Sequence, residues 1–258
     1  MIRIYPMKSN TTLNTFIIVF AALIVIAAVV FGIARSGSNK ATTRTETTLK
    51  DKETTPIDTS FFTGFINGHE WVDLGLSVKW ATCNVGASSP KECGDYYAWG
   101  ETEPNKYSYT WAKYKYYVSG DSLYNIQFSR YNTDGSFGNV DGKVVLSLKD
   151  DVANVKWKGS WRMPTKEECG ELVDECDWSW DHNGYKITGP NGMSIFLPAA
   201  GYRDGSSTKE VDSDGHYWSS SLHTDRPSYA WFLFFPLSDH GMGLGLRRFG
   251  LPVRPVAE

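Results

Sequence analysis

Hydrophobic and polar positions divide the chain into three textures. From Phe16 to Ala34 the sequence FIIVFAALIVIAAVVFGIA carries no charged residue. At about 1.5 Å of rise per helical residue the run is long enough to cross a hydrocarbon layer of about 30 Å. A helix packed on a soluble core shows a polar face, and this one has none. The pattern therefore predicts a short tail over 1–15 and a transmembrane anchor over 16–34. The rival reading is a cleaved signal peptide ending at Gly32-Ile33-Ala34. Secretory apolar regions usually run about 7–15 residues, which favours the anchor. Arg3 and Lys8 on one side are balanced by Arg35, Lys40 and Arg44 on the other, so charge does not orient the segment. The short tail favours a C-terminal domain outside the cytoplasm. Residues 35–60, RSGSNKATTRTETTLKDKETTPIDTS, hold almost no large apolar side chain. They cannot bury enough surface to offset chain entropy and read as a Thr-rich disordered stalk.

From residue 61 to 258 the texture changes to short apolar or alternating runs separated by Gly, Asn, Asp and Pro clusters, the pattern of short strands and ordered loops. Strands are expected at Glu70–Val72, Val78–Asn84, Tyr96–Trp99, Tyr185–Thr188, Ser194–Leu197, Tyr217–Ser220, Tyr229–Phe235 and Gly250–Val256. One helix start is explicit: Thr165-Lys166-Glu167-Glu168 is a capping box, in which the Thr hydroxyl and the Glu carboxylate each accept an otherwise orphaned backbone N–H. Cys169, Leu172, Val173 and Cys176 follow at i, i+3, i+4 and i+7 and form one apolar stripe. A second helix is expected within Leu148–Val155, and Trp111–Tyr117 reads as helix or loop. The fold class expected is α+β: one domain of short antiparallel strands with one or two helices, preceded by one transmembrane helix.

Composition removes one class of function. With 26 basic against 29 acidic residues the chain has no electrostatic footprint for nucleic acid. All 10 Trp lie at or after Trp71, which assigns the aromatic core to the C-terminal domain.

Six motifs then appear in order: Trp80-Ala81-Thr82-Cys83-Asn84-Val85-Gly86, Asp95-Tyr96-Tyr97-Ala98-Trp99-Gly100-Glu101, Gly159-Ser160-Trp161-Arg162-Met163-Pro164-Thr165, Leu197-Pro198-Ala199-Ala200-Gly201-Tyr202, Tyr217-Trp218-Ser219-Ser220-Ser221 and Val253-Arg254-Pro255-Val256. Together they resemble the Fibrobacter succinogenes major paralogous domain family of bacterial surface domains. That family is similar to the formylglycine-generating-enzyme type of C-type lectin fold, which also serves the variable proteins of diversity-generating retroelements. The resemblance implies a lectin-like scaffold whose C-terminal stretch, here Trp218–Val256, presents exposed residues on a fixed frame.

Enzymes of this fold need side chains that the sequence lacks or scatters. Formylglycine-generating enzymes rely on a C-terminal cysteine pair, and no cysteine follows Cys176. The iron-dependent relatives use clustered histidines, whereas His69, His182, His216, His223 and His240 have no close metal-ligand spacing. Neither catalysis nor a cofactor is expected. Glu103-Pro104-Asn105 matches the sugar-reading triplet of animal lectins, yet its Trp-Asn-Asp partner is absent. Asp212-Ser213-Asp214-Gly215 and Asn132-Thr133-Asp134-Gly135 lack the later bidentate Glu of a calcium hand and read as Asx turns. Cys83 and Cys93 are spaced to close a short loop. Cys169 and Cys176, about 10 Å apart along one helix, cannot bond each other.

The candidate ligand surface comprises two loops, Leu222–Pro227 and Leu237–Leu246. His223, Asp225, Arg226, Asp239, His240, Met242 and Arg247 are expected to be exposed there with Trp231 as a flanking aromatic, while Trp218 and Arg254 are expected in the scaffold. Plain surface loops are the competing reading. The function expected is a membrane-anchored extracytoplasmic receptor or adhesin for a protein or glycan, with a structural part in an envelope or fimbria-like assembly as the alternative.

Overall fold

The apolar run YAWFLFF, Tyr229–Phe235, becomes the middle strand of a three-stranded antiparallel sheet, and its continuity is explained by burial on both faces. In this computed structural model, which describes residues 62–258 except Lys106 and Tyr124, the strand lies between Gly215–Leu222 and Gly241–Leu246. Ala230, Phe232 and Phe234 join Trp218 in one core, while Leu233 and Phe235 join Tyr217 in a second core across the sheet. The predicted tail, anchor and stalk lie outside the described residues. Among the described residues no helix is long and apolar enough to cross a membrane.

Numbered in chain order, β1 (Thr63–Ile66), β2 (His69–Asp73), β3 (Lys79–Ala81) and β14 (Val256–Ala257) form a four-stranded sheet that joins the two ends of the domain. β4 (Tyr117–Ser119) pairs with β5 (Gln127–Phe128), β6 (Asp177–Trp180), β7 (Gly184–Thr188) and β8 (Ser194–Pro198) form a meander, and β9 (Tyr202–Asp204) pairs with β10 (Ser207–Lys209). The central strands already described are β11 (Gly215–Leu222), β12 (Tyr229–Phe235) and β13 (Gly241–Leu246). Two α-helices complete the described residues, α1 (Val152–Trp157) and α2 (Lys166–Glu175). The domain is thus mostly antiparallel β in small sheets, with a minor helical part.

The capping box forms as its sequence requires. The Glu168 N–H donates to Thr165 Oγ1 at 3.2 Å, and the Thr165 N–H donates to Glu168 Oε2 at 2.8 Å. Glu168 also receives both terminal nitrogens of Arg162, at 2.8 and 2.6 Å, so the segment before the helix is tied to its first turn. Cys169 and Leu172 are buried against the second core. Val173 and Cys176 pack against the same core as the stripe predicts, although Cys176 takes an extended conformation just beyond the helix. All four cysteines are free thiols.

The expected helix over Leu148–Val155 is broken in two. A 3-10 turn covers Leu148–Asp150, then α1 starts after Asp151. Asp151 is the cause, because its carboxylate accepts the Asn154 N–H at 3.1 Å and the Met163 N–H at 2.7 Å, which requires an extended N-cap conformation. Trp111–Tyr117 resolves into a 3-10 turn at Trp111–Lys113 and then β4. Tyr96–Trp99 forms no strand; Tyr97 makes an isolated bridge to Leu251, so this part of Gly250–Val256 pairs outside any sheet.

Candidate binding surface

The two loops named as one ligand surface leave opposite ends of β12, because consecutive hairpin connections in an antiparallel sheet alternate ends. Residues 223–228 join β11 to β12, and residues 236–240 join β12 to β13. The strand between them, at about 3.4 Å per residue, separates the two by roughly 20 Å. The sequence-predicted residues therefore fall into two groups.

Thr224, Asp225 and Arg226 are exposed in the first loop, and His223 is half-buried at its base. The loop is closed by the Tyr229 N–H donating to Arg226 O at 2.9 Å and the His223 N–H donating to Tyr229 O at 3.1 Å. The His223 ring lies 5.5 Å from Trp231, and the Lys166 ammonium sits 5.3 Å over the same indole. Burial pulls the His223 imidazole below its ordinary range, with the neighbouring Asp225 carboxylate opposing, so the ring is neutral at neutral pH. Its Nδ1 is buried and has no hydrogen-bond partner. A neutral imidazole, an indole, an ammonium, a carboxylate and a guanidinium converge here. Such a set suits a polar ligand that offers hydroxyls or charges.

Arg247 overturns its expected exposure. It is 0% exposed and lies beneath the first loop, donating from Nη1 to Pro227 O at 2.9 Å and Tyr131 O at 3.0 Å, and from Nη2 to Arg130 O at 3.1 Å. Its Nε donates to the Tyr114 hydroxyl at 2.9 Å, and its guanidinium carbon lies 4.5 Å from the Phe128 ring and 5.0 Å from the Trp99 ring. The residue holds the loop's backbone and touches no solvent. Trp218 and Arg254 are buried as expected, at 0% and 1% exposure.

The second group is smaller than expected because Gly241–Leu246 is a strand. The alternation Gly-Met-Gly-Leu-Gly-Leu has the period of a β-strand, and its glycines face aromatic rings. A Cβ on Gly243 would meet Phe232 Cζ at 2.8 Å, and one on Gly245 would meet Trp218 Cη2 at 3.0 Å. The period-2 signal is present in the sequence of the segment expected to be a loop. Met242 is half-buried against the second core. Asp239 is exposed and accepts the His240 N–H at 2.8 Å, while the His240 ring stacks on Trp178 at 4.5 Å.

Two concavities not anticipated from sequence flank the Thr82–Pro90 segment. One of about 340 Å³ is lined by Phe65, His69, Glu70, Cys83, Ser88 and Trp157 among others, and one of about 290 Å³ by Lys91, Asp181, Lys186, Ile195 and Phe196 among others. In the first, His69 stacks on Trp157 with ring centroids 3.7 Å apart. These lining residues come from the N-terminal hairpin, α1 and the β6–β8 meander, so no local motif links them.

The polar side chains of the lectin-type triplet make intramolecular contacts, Glu103 while remaining exposed. Glu103 pairs with Lys156 at 2.9 Å, and Asn105 Oδ1 accepts the N–H groups of Tyr107 and Ser108 at 3.2 and 3.1 Å. Asp134 likewise caps a 3-10 turn by accepting the Ser136 N–H at 2.9 Å. Comparison of the chain with protein-family models, with curated proteins and with solved structures finds no match.

Proposed function

We propose that the chain is a non-enzymatic, extracytoplasmic binding protein of the receptor or adhesin type, carried on a membrane anchor at residues 16–34. Its domain is read as a C-type-lectin-like scaffold of the Fibrobacter succinogenes major paralogous kind, on the strength of the six ordered motifs. The ligand is a glycan or a protein surface with polar and charged groups. The observation that carries this reading is the first loop: Thr224, Asp225 and Arg226 are presented to solvent on a backbone that the buried Arg247 clamps from below. Loops on rigid frames are where binding residues concentrate, and a clamped loop loses little entropy when a ligand arrives.

The test is a glycan and surface-protein array probed with the full-length protein in mild detergent and two variants. His223→Ala/Asp225→Ala/Arg226→Ala should abolish binding, and Asp239→Ala/His240→Ala at the other end should retain it. Equal binding by all three proteins would refute the loop as the site and direct attention to the Thr82–Pro90 concavities.

A second reading, packing against neighbours in a cell-envelope assembly, is favoured by one observation. Val140, Val144, Val145 and Leu148 are 56%, 39%, 47% and 57% exposed along the segment that bridges to β11 at Ser221. Concentration-dependent self-association of the full-length protein, lost in Val145→Lys, would support assembly over ligand binding.

A further inference from the structure

We propose that Glu210, Asp214 and His216 form a binding site for a divalent cation of the zinc class, separate from the loop described above. One ligand atom from each residue lies within 4.8 Å of the others. His216 Nε2 and Glu210 Oε2 are 3.0 Å apart. Two donors bound at about 2.0–2.2 Å to a tetrahedral zinc lie roughly 3.4 Å apart, so this pair has only to open slightly around an ion.

His216 distinguishes the cluster from an ordinary acidic turn. Its side chain is 5% exposed, it lies between the rings of Tyr202 and Phe232, and Nε2 is aimed at the carboxylates. The other ring nitrogen, Nδ1, is buried with no hydrogen-bond partner. Coordination through Nε2 takes the neutral imidazole with its proton on Nδ1, and the buried ring then presents one ligating nitrogen beside the carboxylates. Its placement beside two carboxylates is what coordination of a cation requires.

The frame exists before any ion arrives. The Asp214 N–H donates to Glu210 O at 2.9 Å, the Gly201 N–H to Asp214 O at 2.7 Å and the Asp212 N–H to Ala199 O at 2.8 Å, which pins the turn against residues 199–201. Gly201 permits that approach: it sits at φ +58°, and a Cβ there would meet Lys209 O at 1.9 Å. The neighbouring Lys209 ammonium is drawn to Asp204 at 2.9 Å. One imidazole with two carboxylates selects a borderline cation over calcium, which takes oxygen ligands only, and leaves one tetrahedral position for water. The bound ion would clip the turn after β10 to the first residues of β11. The sequence motif is Glu-x-x-x-Asp-x-His: the carboxylate that completes the Asp212–Gly215 turn precedes it, and the histidine follows at once.

Full-length protein freed of metal by chelation is titrated with Zn²⁺ by calorimetry and thermal unfolding, beside Glu210→Gln, Asp214→Asn and His216→Gln. The two carboxylate variants alter half-buried or exposed side chains and stay folded if His216→Gln does not. The expected result is one ion per chain and a midpoint raised by about 5–10 °C at roughly a hundredfold excess over Kd. Each carboxylate variant should bind at least about tenfold more weakly with an unchanged metal-free midpoint. Co²⁺ in place of Zn²⁺ should give d–d absorption without thiolate charge-transfer bands. No binding by the wild type, undiminished binding by Asp214→Asn, or thiolate bands that report capture by the cysteines would each overturn the site.

Discussion

The two sides of the central sheet bury one arginine each, and they do so differently. Arg247, on the side built from residues 97–161, lies among the rings of Trp99, Tyr114, Tyr116 and Phe128, whose centroids are 4.5–5.7 Å from its guanidinium carbon. Arg254, on the other side, has a purely hydrogen-bonded setting: Nε donates to Asn84 Oδ1 at 2.8 Å, and the terminal nitrogens donate to Ala81 O, Thr82 O and Phe196 O at 3.1, 2.9 and 3.0 Å. No carboxylate pairs with either guanidinium among the described residues. Burial pulls Arg254 down to about 10, still far above neutral pH, so it stays charged. A cation can thus be enclosed without a counter-ion when every donor has an acceptor, or when π faces supplement the acceptors.

The surrounding cores differ in the same way. On the Arg247 side the backbone is irregular, and aromatic tips complete its hydrogen bonding: the Tyr114 hydroxyl donates to Trp99 O at 2.8 Å, Trp99 Nε1 to Ser219 O at 2.9 Å and Trp218 Nε1 to Tyr97 O at 2.8 Å. On the Arg254 side the backbone is mostly regular, in β7, β8 and α2, with single carbonyls completed by side chains: Trp178 Nε1 donates to Leu172 O at 2.7 Å and the Tyr217 hydroxyl to Pro198 O at 2.7 Å, and aliphatic Ile187, Ile195, Leu197 and Leu172 share the core with Trp80, Tyr185, Tyr217 and Phe235. One side has an irregular backbone completed by side-chain tips, the other combines regular ladders with a few such caps.

Breaking the arginine sites should give the largest effects. Arg254→Met removes the donor to four acceptors, two of them fully buried and two part-buried, and is expected to cost about 3–5 kcal/mol in urea unfolding. Arg254→Lys should recover little of that loss, because a single ammonium cannot reach all four oxygens. Arg247→Lys should be milder by about 1–2 kcal/mol than Arg254→Lys, since the rings still accept a cation. Equal losses would show that the aromatic cage contributes nothing.

A pH series separates the sides next. Burial pushes Asp151, which caps α1 on the Arg247 side, up to about 6 despite the Met163 and Asn154 N–H groups. Its folded value lies above its unfolded one, so the folded state holds the proton more tightly and stability falls as pH rises from about 4 to about 6, by roughly 2–3 kcal/mol. Glu168 behaves oppositely. Burial would raise it, yet the Arg162 guanidinium and Thr165 N–H hold it below the usual range, and its contribution is lost as pH falls through that lower value. Asp151→Asn should flatten the slope between pH 4 and 6 while also costing one backbone hydrogen bond. An unchanged slope would remove Asp151 as its source.

Smaller changes sharpen the contrast. Tyr114→Phe removes the acceptor of Arg247 Nε and a donor to Trp99 O, with an expected cost of about 1–2 kcal/mol. On the other side, His240→Ala removes only a half-buried ring stacked on Trp178, with an expected cost of about 0.5–1 kcal/mol. A reversal of that order in thermal unfolding would mean that the regular side is the more side-chain-dependent one.

The sequence by itself determined what is written at the scale of a few residues. The Thr165–Glu168 box starts a helix because both orphaned N–H groups find acceptors within one turn. YAWFLFF forms a strand because so continuous an aromatic and apolar run has no better way to be buried, and the Asx turns at Asn132 and Asp134 follow from side chains that bond their own backbone. Expected strands at Tyr185–Thr188, Ser194–Leu197 and Tyr217–Ser220 lie within β7, β8 and β11 for the same local reasons. Tertiary structure alone decided where the charged residues ended. Arg247 is indistinguishable in sequence from the adjacent Arg248, and only the arrival of Tyr114 and Tyr131, 133 and 116 residues away, encloses one fully, while the other stays partly exposed and pairs with Asp204. The hairpin order of the central sheet sent the two candidate loops to opposite ends, and the contacts of residues 199–201 fixed the local turn that holds Glu210 and Asp214 near His216. Local patterning reports which groups must leave water or find a partner, but not which distant partner they find.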